Sequence, residues 1–169
     1  MDALKSCGRI VITDPNPGWT IENVPAPSVM GDMLVDGILI INGAQKGTSG
    51  WEIGRSPALA SYLYRPDALA GQRFTELAAS TIPRMYHSTS NVLPDGRIFV
   101  GGSNPNAGYN FSGVLFPTEL RLEAYSPYYL NNSYNAFKPI IVSVSTEYVT
   151  YGGVFTVTFS VANYVPNNI

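Results

Sequence analysis

The chain has 169 residues, about the size of one domain, and a formal net charge of −2, with 10 Lys and Arg against 12 Asp and Glu. It has no basic run, which argues against nucleic-acid binding, and no apolar run of about 18 residues, which argues against a membrane span. Charged residues make up only 13%, while Tyr (11), Gly (16) and Pro (13) are abundant. This composition is typical of short strands and many turns, and it predicts an all-β protein.

The N-terminal residues and the single cysteine limit the cellular context. The segment from Met1 to Cys7 lacks the apolar stretch of a signal peptide. Because Cys7 is the only cysteine, it is either a reduced thiol or an orphan whose partner lies outside this chain. Asn110 and Asn131 begin Asn-X-Ser sequons, which makes them candidate N-glycan sites of a secreted protein.

The first half of the chain predicts strands separated by turns. Strands are expected over 8–13, 19–21, 60–64 and 73–75, with Ala78-Ala79 as a possible end of a helical turn. Two apolar runs over 32–35 and 38–41 flank Asp36-Gly37, which is a hairpin signal. The segment 45–56 reads as a glycine-rich loop, and its Trp51 either walls a pocket or packs at an edge.

The second half repeats this pattern. The apolar runs around Asp95-Gly96 predict a second hairpin, about 60 residues after the first and near the ~50-residue period of Kelch blades. We interpret residues 1–127 as a partial Kelch β-propeller of about two and a half blades. Such a chain would be open on at least one side, because a ring needs ~4 blades or more.

Beyond the repeat, the composition changes twice. Residues 128–138 are polar and uncharged, which predicts a linker. Residues 139–169 contain apolar runs and an alternating segment over 154–161, typical of the opening strands of a sandwich-like β domain. A complete sandwich needs ~7 strands, so we expect only its N-terminal part here.

Tyr86 and His87 are the strongest candidate site residues. His87 is the only histidine, and both an imidazole and a phenolate can bind a redox metal such as copper. Adjacent strand residues point to opposite faces, so binding one metal requires the pair to lie at a strand end or bend, where Pro83 would place it. The alternative is that both side chains are structural. Two residues also do not complete a copper site, for which three or four protein ligands are usual.

Several segments carry a family resemblance. They are Cys7-Gly8-Arg9-Ile10, Arg84-Met85-Tyr86-His87-Ser88, Gly101-Gly102-Ser103-Asn104-Pro105 and Pro117-Thr118-Glu119-Leu120. They are similar to the plant glyoxal oxidase branch of the galactose oxidase-like copper radical oxidases, and the likeness extends over nearly the whole chain. It implies a Kelch propeller followed by an immunoglobulin-like early-set domain.

The resemblance also implies a chemistry. Family members hold one copper ion with two tyrosines and two histidines, and one of the tyrosines is crosslinked to a cysteine and carries a radical. They oxidise aldehydes with O2 to carboxylic acids and H2O2. Tyr86 matches the uncrosslinked axial tyrosine, which acts as the base, and His87 matches an equatorial copper ligand. Secretion or a cell-wall location is expected from the resemblance.

The remaining ligands of the family are expected outside this chain. The crosslinked tyrosine and its cysteine belong before Met1, the second histidine belongs after Ile169, and Cys7 does not match the crosslinking position. We therefore expect half a copper site and no turnover by the chain alone. Two alternatives stay open: a non-catalytic Kelch-like binding or structural module, and a truncated product without function.

Overall fold

The computed structural model describes residues 2–3, 5–25, 30–34, 37–48 and 50–162. The chain divides into two compact units, Met1–Tyr125 and Ser126–Ile169. Among the described residues the regular structure is mostly β-strand, and the helical elements are two short 3-10 helices. The prediction of an all-β protein is confirmed.

The described part of the first unit consists of antiparallel sheets. Its strands are β1 (Ser6–Arg9), β2 (Thr20–Asn23), β3 (Met30–Leu34), β4 (Gly37–Ile41), β5 (Ala44–Lys46), β6 (Arg55–Pro57), β7 (Ser61–Tyr64), β8 (Phe74–Leu77), β9 (Ser88–Val92), β10 (Ile98–Gly102) and β11 (Glu123–Tyr125). They form a four-stranded sheet β3-β4-β7-β8, a three-stranded sheet β9-β10-β11, and the pairs β1-β2 and β5-β6.

The first predicted hairpin is confirmed as β3 and β4, with Leu34 opposite Gly37. Val35, the end of the first predicted run, and Asp36, the first residue of the predicted turn, lie outside the described residues. Gly37 begins β4, where it lies against the neighbouring strand β7. A Cβ atom at position 37 would lie 2.4 Å from the carbonyl oxygen of Tyr64, so this close approach requires glycine.

The second predicted hairpin is confirmed as β9 and β10, with Val92 opposite Ile98. In its turn the Gly96 amide donates to the Leu93 carbonyl (2.9 Å). Gly96 has φ 84°, in the left-handed region that glycine adopts without steric cost. The Asp-Gly signal therefore located both hairpins correctly.

Three predictions about the first half need correction. The strand expected over 8–13 ends at Arg9, because a turn follows in which the Asp14 amide donates to the Val11 carbonyl. The glycine-rich segment 45–56 is partly strand, since β5 and β6 pair with Lys46 opposite Arg55. Residues 78–79 are not helical: β8 ends at Leu77 and the chain continues without regular structure.

The hydrophobic core of the first unit joins its two larger sheets. Its buried members are Leu39 and Ile41 of β4 with Ile98 and Val100 of β10. Each pair is spaced two residues apart, as expected for one face of a strand. Burying each such side chain contributes about 1.5–3 kcal/mol, so this cluster holds the two hairpins together.

The second unit contains the 3-10 helices η1 (Tyr128–Leu130) and η2 (Asn132–Phe137) and the antiparallel strands β12 (Ile140–Val144) and β13 (Val157–Ser160). The segment predicted as a linker thus forms 3-10 turns, and the alternating strand is shorter than predicted. Residues 163–169 of the predicted second domain lie outside the described residues. No helix among the described residues is both long and apolar enough to cross a membrane.

Candidate functional site

Tyr86 and His87 lie in a turn that directly precedes β9. His87 has φ 60°, a left-handed conformation that costs a non-glycine residue about 1–2 kcal/mol. The two rings stack, with centroids 4.0 Å apart and an angle of 30° between their planes. The expected bend is present, and it brings two adjacent side chains together, which a regular strand would not do.

The backbone around the pair is held by the segment that follows β10. The Asn104 amide donates to the Tyr86 carbonyl (2.8 Å), and the Met85 amide donates to the Ser103 hydroxyl (2.8 Å). The Ser88 hydroxyl donates to the Met85 carbonyl (2.8 Å) across the turn. These bonds oppose the backbone cost at His87, since a strained residue persists only where its surroundings fix it.

Arg84 anchors the start of this segment. Its side chain is fully buried, and Nε donates to Glu123 Oε2 (2.9 Å). Its two remaining nitrogens donate to the carbonyls of Gly102 (2.8 Å) and Arg121 (2.9 Å). The Arg84 carbonyl in turn accepts from the Gly43 amide (3.0 Å), so one residue ties the segment between β4 and β5, together with β10 and β11, to the Tyr86 turn.

The imidazole of His87 has one of its nitrogens engaged. His87 Nδ1 lies 3.2 Å from the carbonyl oxygen of Asn104. Because a carbonyl oxygen only accepts, Nδ1 must carry the proton of this bond. Nε2 then keeps its lone pair and is the nitrogen that can bind a metal.

Tyr86 and His87 line a cavity of about 370 Å³. This volume is near the lower end of the ~300–1,000 Å³ of small-molecule sites. Its other walls are mostly glycine and alanine, together with Lys46 and Thr48. Lys46 is the one charged side chain among the described residues that line the cavity. Tyr86 is 40% exposed, so its phenol is within reach of a small molecule in the cavity.

The donor set is suitable for copper but supplies only two ligands. Imidazole and phenolate donors suit copper, and a bound metal favours the deprotonated phenol. The described residues contain no group of three or more His, Cys, Asp or Glu side chains able to hold a metal. Cys7 lies in β1 and, like Trp51, is not among the residues that line the cavity.

Two supports of the site were not predicted. Arg84 and Asn104 were identified only as parts of motifs, and no role was assigned to either. Their partners lie far along the chain, with Glu123 39 residues after Arg84 and Asn104 17 residues after His87. The only available signal was local: Arg84 stands between the apolar residues Ile82 and Met85, which is unusual for a solvated cation.

An ion pair lies close to this support. The Glu119 amide donates to the Ser103 carbonyl (2.9 Å), and the Glu119 carboxylate accepts from Arg121 Nε (2.9 Å). The side-chain hydrogen bond from Arg121 lowers the pKa of Glu119 from 4.5 to about 2. Glu119 is therefore ionised at neutral pH and pairs with Arg121, while its backbone amide holds the carbonyl of Ser103.

Comparison with known proteins places these observations in a family. The family model "Glyoxal oxidase N-terminus" matches residues 1–129. The chain is 49% identical over 160 residues to "Aldehyde oxidase GLOX" of Vitis pseudoreticulata, covering 93% of this chain and 30% of that protein. It is 48% identical over 159 residues to "Aldehyde oxidase GLOX1" of Arabidopsis thaliana, covering 92% and 26%. The chain thus spans less than a third of the length of these relatives.

A solved structure has a similar fold. It is a fungal alcohol oxidase of the AA5 family in complex with copper, with a TM-score of 0.66 and 22% identity. The match covers 94% of this chain and 33% of that one. At this identity the likeness shows the shared fold alone.

Proposed function

We propose that this chain, which belongs to the family described as glyoxal oxidase N-terminus, forms part of a copper radical oxidase that oxidises small aldehydes. In this reaction a hydrated aldehyde and O2 give a carboxylic acid and H2O2. The observation that carries the proposal is the stacked Tyr86–His87 pair at a cavity of about 370 Å³.

His87 and Tyr86 have separate roles in this proposal. His87 would bind copper through Nε2, while Nδ1 donates to the Asn104 carbonyl and holds the ring. Tyr86 would be the second ligand, and its phenolate oxygen would accept the proton of the substrate hydroxyl as general base. When bound, copper would accept one electron from the substrate and the family's crosslinked tyrosyl radical, which belongs outside this chain, would accept the other, and both electrons would then pass to O2.

We further propose that the chain alone does not turn over. Copper sites usually take three or four protein ligands, and the described residues bring only Tyr86 and His87 together. The rest of the ligand set would come from other parts of the longer enzyme. Secretion remains part of the proposal and rests on the family resemblance and the two sequons.

The fold supports a more detailed proposal. The sheet β3-β4-β7-β8 has the four antiparallel strands of a propeller blade, and β9-β10-β11 packs on it through a shared core. We assign residues 1–127 to a partial Kelch propeller and 128–138 to a linker. Residues 139–169 are assigned to the beginning of an immunoglobulin-like early-set domain.

A segment exchange tests the function. The matched region of the Vitis pseudoreticulata relative is replaced by this chain, and H2O2 release is measured with glyoxal and methylglyoxal after copper loading. We expect the hybrid to be active, and His87→Ala and Tyr86→Phe to lower its rate by about 100-fold or more. Tyr109→Phe is the control, because Tyr109 is exposed and is not among the residues that line the cavity.

The result also separates the alternatives. An active hybrid that keeps its rate with His87→Ala would show that this pair is not the copper site. A folded, copper-loaded hybrid without activity would favour a non-catalytic Kelch-like module. The isolated chain is assayed in parallel, and peroxide from it would contradict the proposal that it is inactive alone.

A further inference from the structure

Asn104 contacts the Tyr86–His87 pair twice through its backbone. Its amide donates to the Tyr86 carbonyl (2.8 Å), and its carbonyl lies 3.2 Å from His87 Nδ1. One residue thus binds the backbone of the first candidate ligand and the ring of the second. A small rotation of Asn104 would change both contacts at once.

The side chain of Asn104 is itself fixed by a buried threonine. Asn104 Oδ1 accepts from the Thr118 hydroxyl (3.0 Å) and from the Asn106 side-chain amide (3.4 Å). The Thr118 hydroxyl also accepts from the Asn110 amide (2.9 Å), and the Thr118 amide donates to the Asn110 carbonyl (2.6 Å). Thr118 is therefore held on both sides, and Asn104 cannot rotate without breaking its bond to Thr118.

We propose that Asn104 and Thr118 are positioning residues that hold His87 as its Nδ1–H tautomer. Free histidine prefers the Nε2–H tautomer, in which Nε2 cannot bind a metal. The Asn104 carbonyl reverses this preference, because it accepts only from a protonated Nδ1. The role of this tautomer in copper binding rests on the proposed function. The tautomer itself is a property of the metal-free chain and can be tested without copper.

The tautomer can be measured directly, because His87 is the only histidine. A long-range ¹H–¹⁵N spectrum of the ¹⁵N-labelled metal-free chain, at a pH where the imidazole is neutral, contains one pair of ring nitrogens. We expect a protonated Nδ1 and an unprotonated Nε2. A wild-type chain with a protonated Nε2 would overturn the proposal, whatever the variants show.

Variants test whether the side chains of Thr118 and Asn104 control the tautomer of His87. Thr118→Val keeps the shape of the side chain and removes the hydroxyl, so we expect a mixture of tautomers; Thr118→Ser should restore the wild-type spectrum. Thr20→Val, at an exposed position of β2, is the matched control. If Thr118→Val does not fold, Asn104→Ala takes its place, since it removes Oδ1 and keeps both backbone contacts. If Thr118→Val or Asn104→Ala folds and His87 keeps the wild-type tautomer, the proposed role of these two side chains is refuted.

A copper titration separates this proposal from the proposed function. Outer partners of a histidine ligand typically change metal affinity by 10–100-fold. In the hybrid enzyme of the segment exchange, which contains the remaining ligands, we expect Thr118→Val to weaken Cu(II) binding about tenfold, read by the Cu(II) EPR signal, and Thr118→Ser to recover it. If the Nδ1–H tautomer is present and the hybrid does not bind Cu(II) through His87, the copper assignment fails while the positioning role stands.

Discussion

Replacing Arg84 should destabilise the first unit more than any surface change. Arg84→Met keeps an apolar stem in a fully buried position but removes the guanidinium. The carbonyls of Gly102 and Arg121 lose their donor, and Glu123 loses its charged partner. Breaking a buried ion pair costs ~3–5 kcal/mol, and Glu123 is 30% exposed, so we expect about 3 kcal/mol.

The matched control is Arg97→Met. Arg97 also pairs with a carboxylate, that of Asp95, but the two side chains are 47% and 51% exposed. Such exposed pairs contribute little to stability, because water and salt screen them. Urea unfolding followed by tryptophan fluorescence reports on the first unit, because Trp19 and Trp51 both belong to it. If the two variants differ by less than about 1 kcal/mol, Arg84 is not the anchor that its hydrogen bonds indicate.

Three further predictions concern charge, packing and modification. The hydrogen bond from Arg121 lowers the pKa of Glu119 to about 2 in the folded chain. The contribution of Glu119 to folding stability is therefore present at neutral pH and is lost as the pH falls from 4.5 to about 2. Glu119→Gln should flatten the curve of Tm against pH in that range. Gly37→Ala should lower stability by about 1–3 kcal/mol in urea unfolding, while Gly18→Ala, whose Cβ meets nothing within 4 Å, should leave it nearly unchanged. Asn110 and Asn131 are exposed, so secretion from a glycosylating host should add a glycan at each, and Asn→Gln should remove its mass.

The sequence predicted those parts of the fold that depend on local signals. Both hairpins follow from an Asp-Gly pair between apolar runs, and the structure buries Leu39 of the first hairpin and Ile98 of the second. The sequence did not predict the strands β5 and β6, because the segment lacks apolar alternation. Their pairing joins Lys46 and Arg55, two cations that no propensity rule would place opposite each other.

Local signals also point to the candidate pair, Tyr86 and His87. The residues that hold the pair depend on contacts that are distant in sequence, and the sequence did not reveal them. A lone histidine beside a tyrosine after Pro83 stands out in the sequence, and the bend that it needs is present. The residues that hold it do not stand out. The contacts of Arg84 and Asn104 depend on which strands become neighbours, and a single sequence does not contain that information.

The left-handed backbone conformation of His87 explains why the site needs hydrogen bonds from the segment after β10. A stacked pair of adjacent side chains requires His87 at φ 60°, and this conformation costs about 1–2 kcal/mol for a residue with a Cβ atom. The bonds from Asn104 to the backbone and ring, at about 1 kcal/mol each, are of the same size as that cost. Without them the turn would relax towards an extended chain, and the two rings would point to opposite faces. The geometry of the candidate ligands is therefore set by the segment after β10 as much as by Tyr86 and His87 themselves.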